Sequence, residues 1–172
     1  MANVSEVLIS EERLKNRVDE LGAQITKDYE GQDLLLVGIL KGSVPFMADL
    51  MRRINLPLQI DFMQVSSYGG GTRTSGVVKI VKDLDADITG KNILIVEDII
   101  DSGLTLDYLK SYLSGRGCKS VKIATMLDKP SRRKVDLKPD YCGFSVDDLF
   151  IVGYGLDLDQ DYRNLPYISW VK

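Results

Sequence analysis

Glu97, Asp98, Asp101, Ser102, Gly103 and Thr105 fall within one short stretch, N-I-L-I-V-E-D-I-I-D-S-G-L-T from Asn92 to Thr105. Adjacent carboxylates can accept hydrogen bonds from sugar hydroxyls or hold a hard cation through oxygen. The hydroxyls of Ser102 and Thr105 can donate to phosphate oxygens, and Gly103 lets a backbone come close to a ligand. A helical pattern begins at once, with Leu106, Leu109 and Leu113 on one face. A helix start offers free N–H groups and a positive dipole end to an anion. The arrangement suits a phosphorylated sugar. Two plainer readings compete with it. Asp101 and Ser102 could simply cap the helix. The acid pair could be a Walker B element, but the G-x-x-x-x-G-K-[ST] partner that this needs is absent from the sequence. On spacing alone, phosphate binding and plain capping stay balanced.

The elements that must hold these residues are legible around them. Ile93 to Val96 is a run of β-branched and leucine side chains, suited to a strand buried on both faces and expected to stop at Glu97 and Asp98. Leu34 to Leu40, L-L-L-V-G-I-L, is a second such run. Lys41-Gly42-Ser43 follows it, then a helix with Met47, Leu50, Met51 and Ile54 on one face. Taken by itself, Lys41 is a surface lysine in an ordinary strand–helix loop. Near the start, Ser10-Glu11-Glu12 opens a helix whose stripe is Leu14, Val18, Leu21 and Ile25, with Gly31 to end it.

Leu58 to Val65 and Val77 to Val81 read as strands flanking S-S-Y-G-G-G-T-R-T-S-G, residues 66–76. That is a long hairpin with a mobile tip, and Ser67, Tyr68 and Arg73 are its chemical payload. Its glycines make no nucleotide fingerprint, because no helix pattern follows. Val121 to Leu127 is another strand, ending at Asp128-Lys129-Pro130, and Arg132, Arg133 and Lys134 read as a solvated basic face. Tyr141 to Val146, Phe150 to Tyr154 and Tyr167 to Val171 read as short strands, with Asp157, Asp159, Asp161 and Arg163 in a polar segment between the last two. By its own pattern Phe150 is core packing.

Strands alternating with helices imply an α/β fold, a mainly parallel twisted sheet flanked by helices. Ligands of such sheets bind beyond the carboxyl ends of the strands. Lys41, the Glu97–Thr105 segment and Lys129 each follow a strand, so all of them can share one rim.

The 172 residues fit one domain, and net charge −3 with pI near 5 argues against broad nucleic-acid binding. The chain has no histidine and two well-separated cysteines, Cys118 and Cys142, so structural zinc and a disulfide framework are not expected. Met1 to Ser10 lacks a secretory pattern, and no apolar run approaches the roughly 18 residues of a membrane span. The reading is a cytoplasmic protein with no membrane partner.

V-E-D-I-I-D-S-G-L-T resembles the phosphoribosyl pyrophosphate signature of type I phosphoribosyltransferases, in the glutamate-aspartate form of the hypoxanthine-guanine members. L-K-G-S at Leu40 to Ser43, S-S-Y at Ser66 to Tyr68, L-D-K-P-S-R-R from Leu127, F-I-V-G-Y-G-L-D from Phe150 and Y-R-N-L-P-Y-I from Tyr162 are similar to that family in matching order. The D-K-P-S-R-R and L-P-Y-I stretches look bacterial. The resemblance implies one phosphoribosyltransferase domain over 1–172, with a hairpin lid at about 66–76 and a small hood built largely from about 145–172. It implies Mg²⁺-dependent transfer of a 5-phosphoribosyl group from phosphoribosyl pyrophosphate to hypoxanthine or guanine, giving IMP or GMP and pyrophosphate. A homodimer or homotetramer is also implied.

Site roles follow from the same resemblance. Asp101 sits against the purine imidazole nitrogen as the candidate general base. An ordinary aspartate pKa of about 3.9 is low for that task, so either burial raises it or its larger role is to orient the base. Ile99, Ser102, Gly103, Leu104 and Thr105 hold the ribose phosphate with Asp101. Glu97, Asp98 and Asp157 take ribose hydroxyls and magnesium. Lys41, Gly42 and Arg163 face pyrophosphate, and the Leu40–Lys41 peptide can be cis. Lys129 donates to the exocyclic oxygen of a 6-oxopurine. Losing such a buried hydrogen bond can cost a factor of about 10⁴ in discrimination, so adenine should be rejected. Phe150 stacks on the base, and Ile151 and Asp157 read its edge. Ser67 and Tyr68 close over the reaction. The Gly69-Gly70-Gly71 run and Arg73 depart from the family's usual lid tip, which puts lid kinetics in doubt. Three other readings remain: a xanthine-preferring enzyme, an RNA-binding regulator of the same fold, and a binding module without catalysis. The acidic balance and Lys129 weigh against the regulator, and the presence of Asp101, Lys129 and Arg163 weighs against lost catalysis.

Overall fold

A computed structural model of the protein describes residues 4–67 and 78–172, without the Ser67 side chain. The hairpin tip with Tyr68 and Arg73, and the side chain of Ser67, therefore lie outside the described residues.

A six-stranded sheet forms the centre. In chain order it takes β2 (Leu34–Leu40), β3 (Leu58–Ser67), β4 (Val78–Lys82), β5 (Asn92–Ile100), β6 (Ser120–Asp128) and β7 (Tyr141–Ser145). Their spatial order is β4-β3-β2-β5-β6-β7, and every pairing is parallel except β3 with β4. The all-apolar runs explain the middle of this order. Leu34 to Val37 and Ile93 to Val96 are buried on both faces, as parallel strands between two helical layers must be.

Helices α1 (Glu11–Asp28) and α2 (Val44–Met51) cover one face, and α3 (Leu104–Ser114) covers the other. Ser10 caps α1, its hydroxyl accepting from the Arg13 amide at 3.3 Å, and Leu14, Val18, Leu21 and Ile25 all face inward. Each such fully buried side chain stabilises the fold by about 1.5–3 kcal/mol. Gly31 lies just beyond the helix end rather than in its cap, which is Tyr29. Ile54 is buried but falls past the end of α2.

A second, three-stranded sheet in the order β1-β9-β8 joins β1 (Val4–Ile9), β8 (Ile151–Val152) and β9 (Ile168–Val171). Here the N-terminal residues pair with the C-terminal segment, Val4 opposite Val171. It joins the C-terminal segment to an N-terminal strand that the sequence pattern did not single out.

One expectation is corrected in the central strand. β5 does not stop at the acid pair: it runs through Glu97 and Asp98 to Ile100, still registered against β6 by Glu97 opposite Thr125 and Ile100 opposite Asp128. The carboxylates are therefore held by strand backbone and not by a loop.

Candidate active site

The carboxyl ends of β2, β5 and β6 meet at one rim. A cavity of about 340 Å³ opens there, lined by Lys41, Gly42, Glu97, Asp98, Ile99, Asp101, Ser102, Gly103, Thr105, Asp157 and Arg163. Leu104, expected in this set, does not line it. A second cavity of about 390 Å³ adjoins, lined by Lys129, Phe150, Ile151 and Asp157 together with Arg132, Asp148, Leu149 and Leu156. Ile99, Asp101 and Asp157 belong to both walls. The two halves that the sequence suggested thus meet at Asp101.

The turn after β5 is built for close approach. Gly103 adopts φ +80°, and a Cβ there would crowd the Arg133 and Val135 side chains at 3.0 and 3.1 Å. The Ser102 hydroxyl accepts from the Leu104 amide at 3.3 Å, so part of the capping reading holds. Asp101 does not cap: its side chain is half exposed and faces the Lys129 ammonium at 3.8 Å. Among the described residues, the backbone amides of Asp101, Ser102 and Gly103 donate to no protein acceptor. Free amides at the start of an eleven-residue helix form a cradle for an anion.

On the opposite wall, the Leu40–Lys41 peptide is cis, as the resemblance implied. Gly42 packs directly on the Asp98 carboxylate, where any Cβ would collide. Lys41 Nζ donates to Gln160 Oε1 at 3.2 Å. Arg163 donates to the Gly155 carbonyl at 2.6 Å and pairs with Asp157 at 3.0 Å. Asp157 also accepts from the Gln160 amide at 2.9 Å.

Burial, and then the charge of Asp98, pushes the Glu97 carboxyl well above the ordinary carboxylate range. Burial also raises Asp98, opposed by Glu97, by the Ile99 amide and by the more distant Arg163. These are hard oxygen donors whose negative charge the protein does not fully match, which fits a divalent cation. Such a cation often takes one or two carboxylates plus substrate oxygens and water. Asp157 is already committed to Arg163 and Gln160, and no group of three or more metal-ligating side chains gathers among the described residues. The expected trio of Glu97, Asp98 and Asp157 therefore does not form one cage, and Glu97 with Asp98 is the pair that could hold a metal.

In the second cavity Lys129 is 7% exposed and donates from Nζ to the Leu149 carbonyl at 2.6 Å, with Asp148 at 4.0 Å. Phe150 is 54% exposed, so its reading as core packing is corrected: the ring stands at the cavity wall. Asp148 and Arg132 were not anticipated here. They pair at 2.8 Å on the cavity edge, and a polar D-D run beside a distant basic cluster gave no local sign of that meeting.

A carboxylate pair and an anion cradle on the rim of a parallel sheet define the site of a phosphoribosyltransferase. The phosphoribosyl transferase domain family matches residues 5–159, and the chain belongs to that family of enzymes. Among its relatives, hypoxanthine-guanine phosphoribosyltransferase of Bacillus subtilis (strain 168) is 56% identical over 170 residues, covering 99% of this chain and 94% of that protein. A crystal structure of a hypoxanthine phosphoribosyltransferase from Staphylococcus aureus superposes with TM-score 0.96 at 52% identity, covering 99% of this chain and 92% of that one. A hypoxanthine-guanine phosphoribosyltransferase from Bacillus anthracis, solved with HEPES in the active site, gives TM-score 0.95 at 52% identity over 99% of this chain and 100% of that one. Enzymes of this family use a metal ion with phosphoribosyl pyrophosphate. No described helix is long and apolar enough to cross a membrane.

Proposed function

We propose that the protein is a purine salvage enzyme. It transfers the 5-phosphoribosyl group of phosphoribosyl pyrophosphate to hypoxanthine or guanine, yielding IMP or GMP and pyrophosphate in the cytoplasm. The observation that carries this is the pair of adjoining cavities sharing Asp101: one has carboxylates and free amides, the other a buried lysine and an exposed aromatic ring.

The chemistry assigns the roles. C1′ gains positive character as pyrophosphate leaves, and negative charge grows on the leaving oxygen. Lys41 and Arg163 stand on the side that meets that charge. The amides of Asp101, Ser102 and Gly103, with the Thr105 hydroxyl, hold the 5′-phosphate and fix the sugar. Glu97 and Asp98 would hold Mg²⁺ and the ribose hydroxyls; when bound, the ion offsets charge on the pyrophosphate oxygens. Lys129 donates to the 6-oxo group, Phe150 stacks, and the Ile151 backbone reads the base edge beside Asp157. Asp101 accepts the proton of the purine imidazole nitrogen or orients it. Its half-exposed position supports orientation at least as well as deprotonation. The Ser67–Tyr68 lid is proposed to exclude water.

Val44 on α2, Ile60 on β3 and Val81 on β4 are exposed apolar side chains on the outer part of the sheet and its helix, and a homodimer or homotetramer would cover such residues. Light scattering at micromolar concentration tests that, and a monomer would refute it.

Assay both purines with phosphoribosyl pyrophosphate and Mg²⁺. Turnover of hypoxanthine and guanine with adenine inert is the expected result, and no turnover of any purine ends the proposal. Competition between guanine and xanthine decides the base preference. Asp101→Asn should fold normally while kcat falls on the order of 10²-fold or more; unchanged kcat removes its chemical role.

A further inference from the structure

The basic run Arg132-Arg133-Lys134 reads in sequence as a solvated face, yet the side chain of Arg133 is only 13% exposed. It pairs with Asp128, itself 11% exposed, at 2.5 Å. Its Nε donates to the Leu137 carbonyl at 2.8 Å, and its Nη1 donates to the Asp101 carbonyl at 2.8 Å. The backbone on either side of it reaches the same turn. The Lys129 amide donates to the Ile100 carbonyl at 2.9 Å, and the Lys134 amide donates to the Ser102 carbonyl at 2.9 Å.

Three successive carbonyls, those of Ile100, Asp101 and Ser102, are thus all taken by the 129–134 segment. A trans peptide is planar, and its C=O points opposite to the N–H of the next residue. Tying these carbonyls to one side turns the amides of Asp101, Ser102 and Gly103 to the other. Those are the amides left without a protein acceptor, in residues that line the rim cavity. The middle carbonyl is the only one of the three held by a side chain, so a substitution can release it.

We infer that Arg133 is a positioning residue: anchored by Asp128, it holds the Asp101 carbonyl outward and so aims the anion-binding amides at the phosphate of the substrate. The claim rests on the phosphoribosyl reading of the cavity. It adds a specific division of labour, in which Arg133 touches no substrate and governs the sugar-phosphate end more than the purine end.

The test uses Arg133→Ala, which strands the Asp128 charge, and the double variant Arg133→Ala/Asp128→Ala, which does not. Arg133→Lys is the third, because it keeps a cation beside Asp128 but cannot span the three acceptors. Thermal melts are recorded alongside KM for phosphoribosyl pyrophosphate, KM for hypoxanthine, and kcat, with and without millimolar guanidinium. Small displacements of positioning groups cost on the order of 10²-fold. The expected result is a rise of about 10- to 100-fold in KM for phosphoribosyl pyrophosphate. KM for hypoxanthine should stay within about twofold, and guanidinium should partly restore the alanine variants. A merely structural role would lower Tm and leave both KM values and the rescue flat. Wild-type KM for phosphoribosyl pyrophosphate in any folded variant lacking the guanidinium overturns the inference. If the alanine variants do not fold, Arg133→Lys decides it alone. Failure of the wild-type enzyme to turn over any purine would instead sink the function proposed above, and calorimetric titration with phosphoribosyl pyrophosphate would then read the same difference as affinity.

Discussion

Asp61 on β3 and the Glu97–Asp98 pair on β5 are carboxylates of the same sheet, and the protein treats them in opposite ways. Asp61 is 8% exposed and accepts the amides of Phe62 at 2.7 Å, Asp85 at 2.9 Å and Ala86 at 3.1 Å, with Lys82 at 3.7 Å. Burial alone would raise its carboxyl, but those amides and the ammonium outweigh burial and hold it below the ordinary range. Asp83 repeats the pattern. Burial there is outweighed by the Tyr112 hydroxyl at 2.5 Å, the Leu84 amide at 2.7 Å and Arg116 at 2.9 Å. Glu97 and Asp98 each receive a single amide, from the next residue in the chain, and burial wins for both. Where the fold needs a carboxylate it surrounds it with donors. At the pair proposed to meet a ligand, the donors are withheld.

The contrast can be broken by substitution. Asp61→Ala leaves three amides without an acceptor and should cost about 3 kcal/mol. For a domain of this size that is a fall of about 6–12 °C in Tm, with little change in KM. Glu97→Gln should do the reverse. Replacing one of two crowded carboxyls by an amide, which removes their mutual repulsion, should raise Tm of the ligand-free protein by about 2–4 °C, the equivalent of about 1 kcal/mol. Millimolar MgCl₂ with pyrophosphate should stabilise the wild type, and Glu97→Gln should lose that stabilisation. A drop in Tm for Glu97→Gln would mean the pair is structural after all.

The acid limb sharpens the same comparison. Asp61 and Asp83 are depressed in the folded protein, so their contribution is complete above the unfolded value of about 3.9. It is lost as pH falls through the lower folded values. Urea midpoints of the wild type and Asp61→Asn should therefore converge as pH drops below about 4; parallel curves would contradict the assignment. The smallest effect belongs to an exposed pair. Glu20→Ala removes the Arg17–Glu20 contact at 2.7 Å and should move stability by less than about 0.5 kcal/mol.

Much of this arrangement is legible in the residues. The apolar runs of β2 and β5, the stripe of α1 and the rim position of Lys41, Asp101 and Lys129 all follow from periodicity and from strand–turn–helix order. What escapes the pattern does so for physical reasons. β1 is a short strand with Glu6 inside it, and its partner β9 lies at the far end of the chain, where local periodicity carries no information. β5 runs past its apolar core because its pairing with β6 continues through Glu97 and on to Ile100, beyond the point where burial alone would end it. Arg133 reads as surface because two of its three partners, the carbonyls of Asp101 and Leu137, are backbone atoms that no side-chain pattern announces. Phe150 reads as core because aromatic rings usually are, and only the open cavity beside it shows otherwise.

β8 contributes just two residues, and β9 with an irregularly registered β1 is all that secures it in its small sheet. The wall proposed for the sugar phosphate, by contrast, hangs from the middle of six strands. On the proposed assignment, recognition of the base and grip on the phosphate fall in units of unequal cooperativity. On warming, amide exchange at Ile151 and Val152 should quicken first, and selectivity among nucleobases should blur while the ribosyl donor is still firmly held.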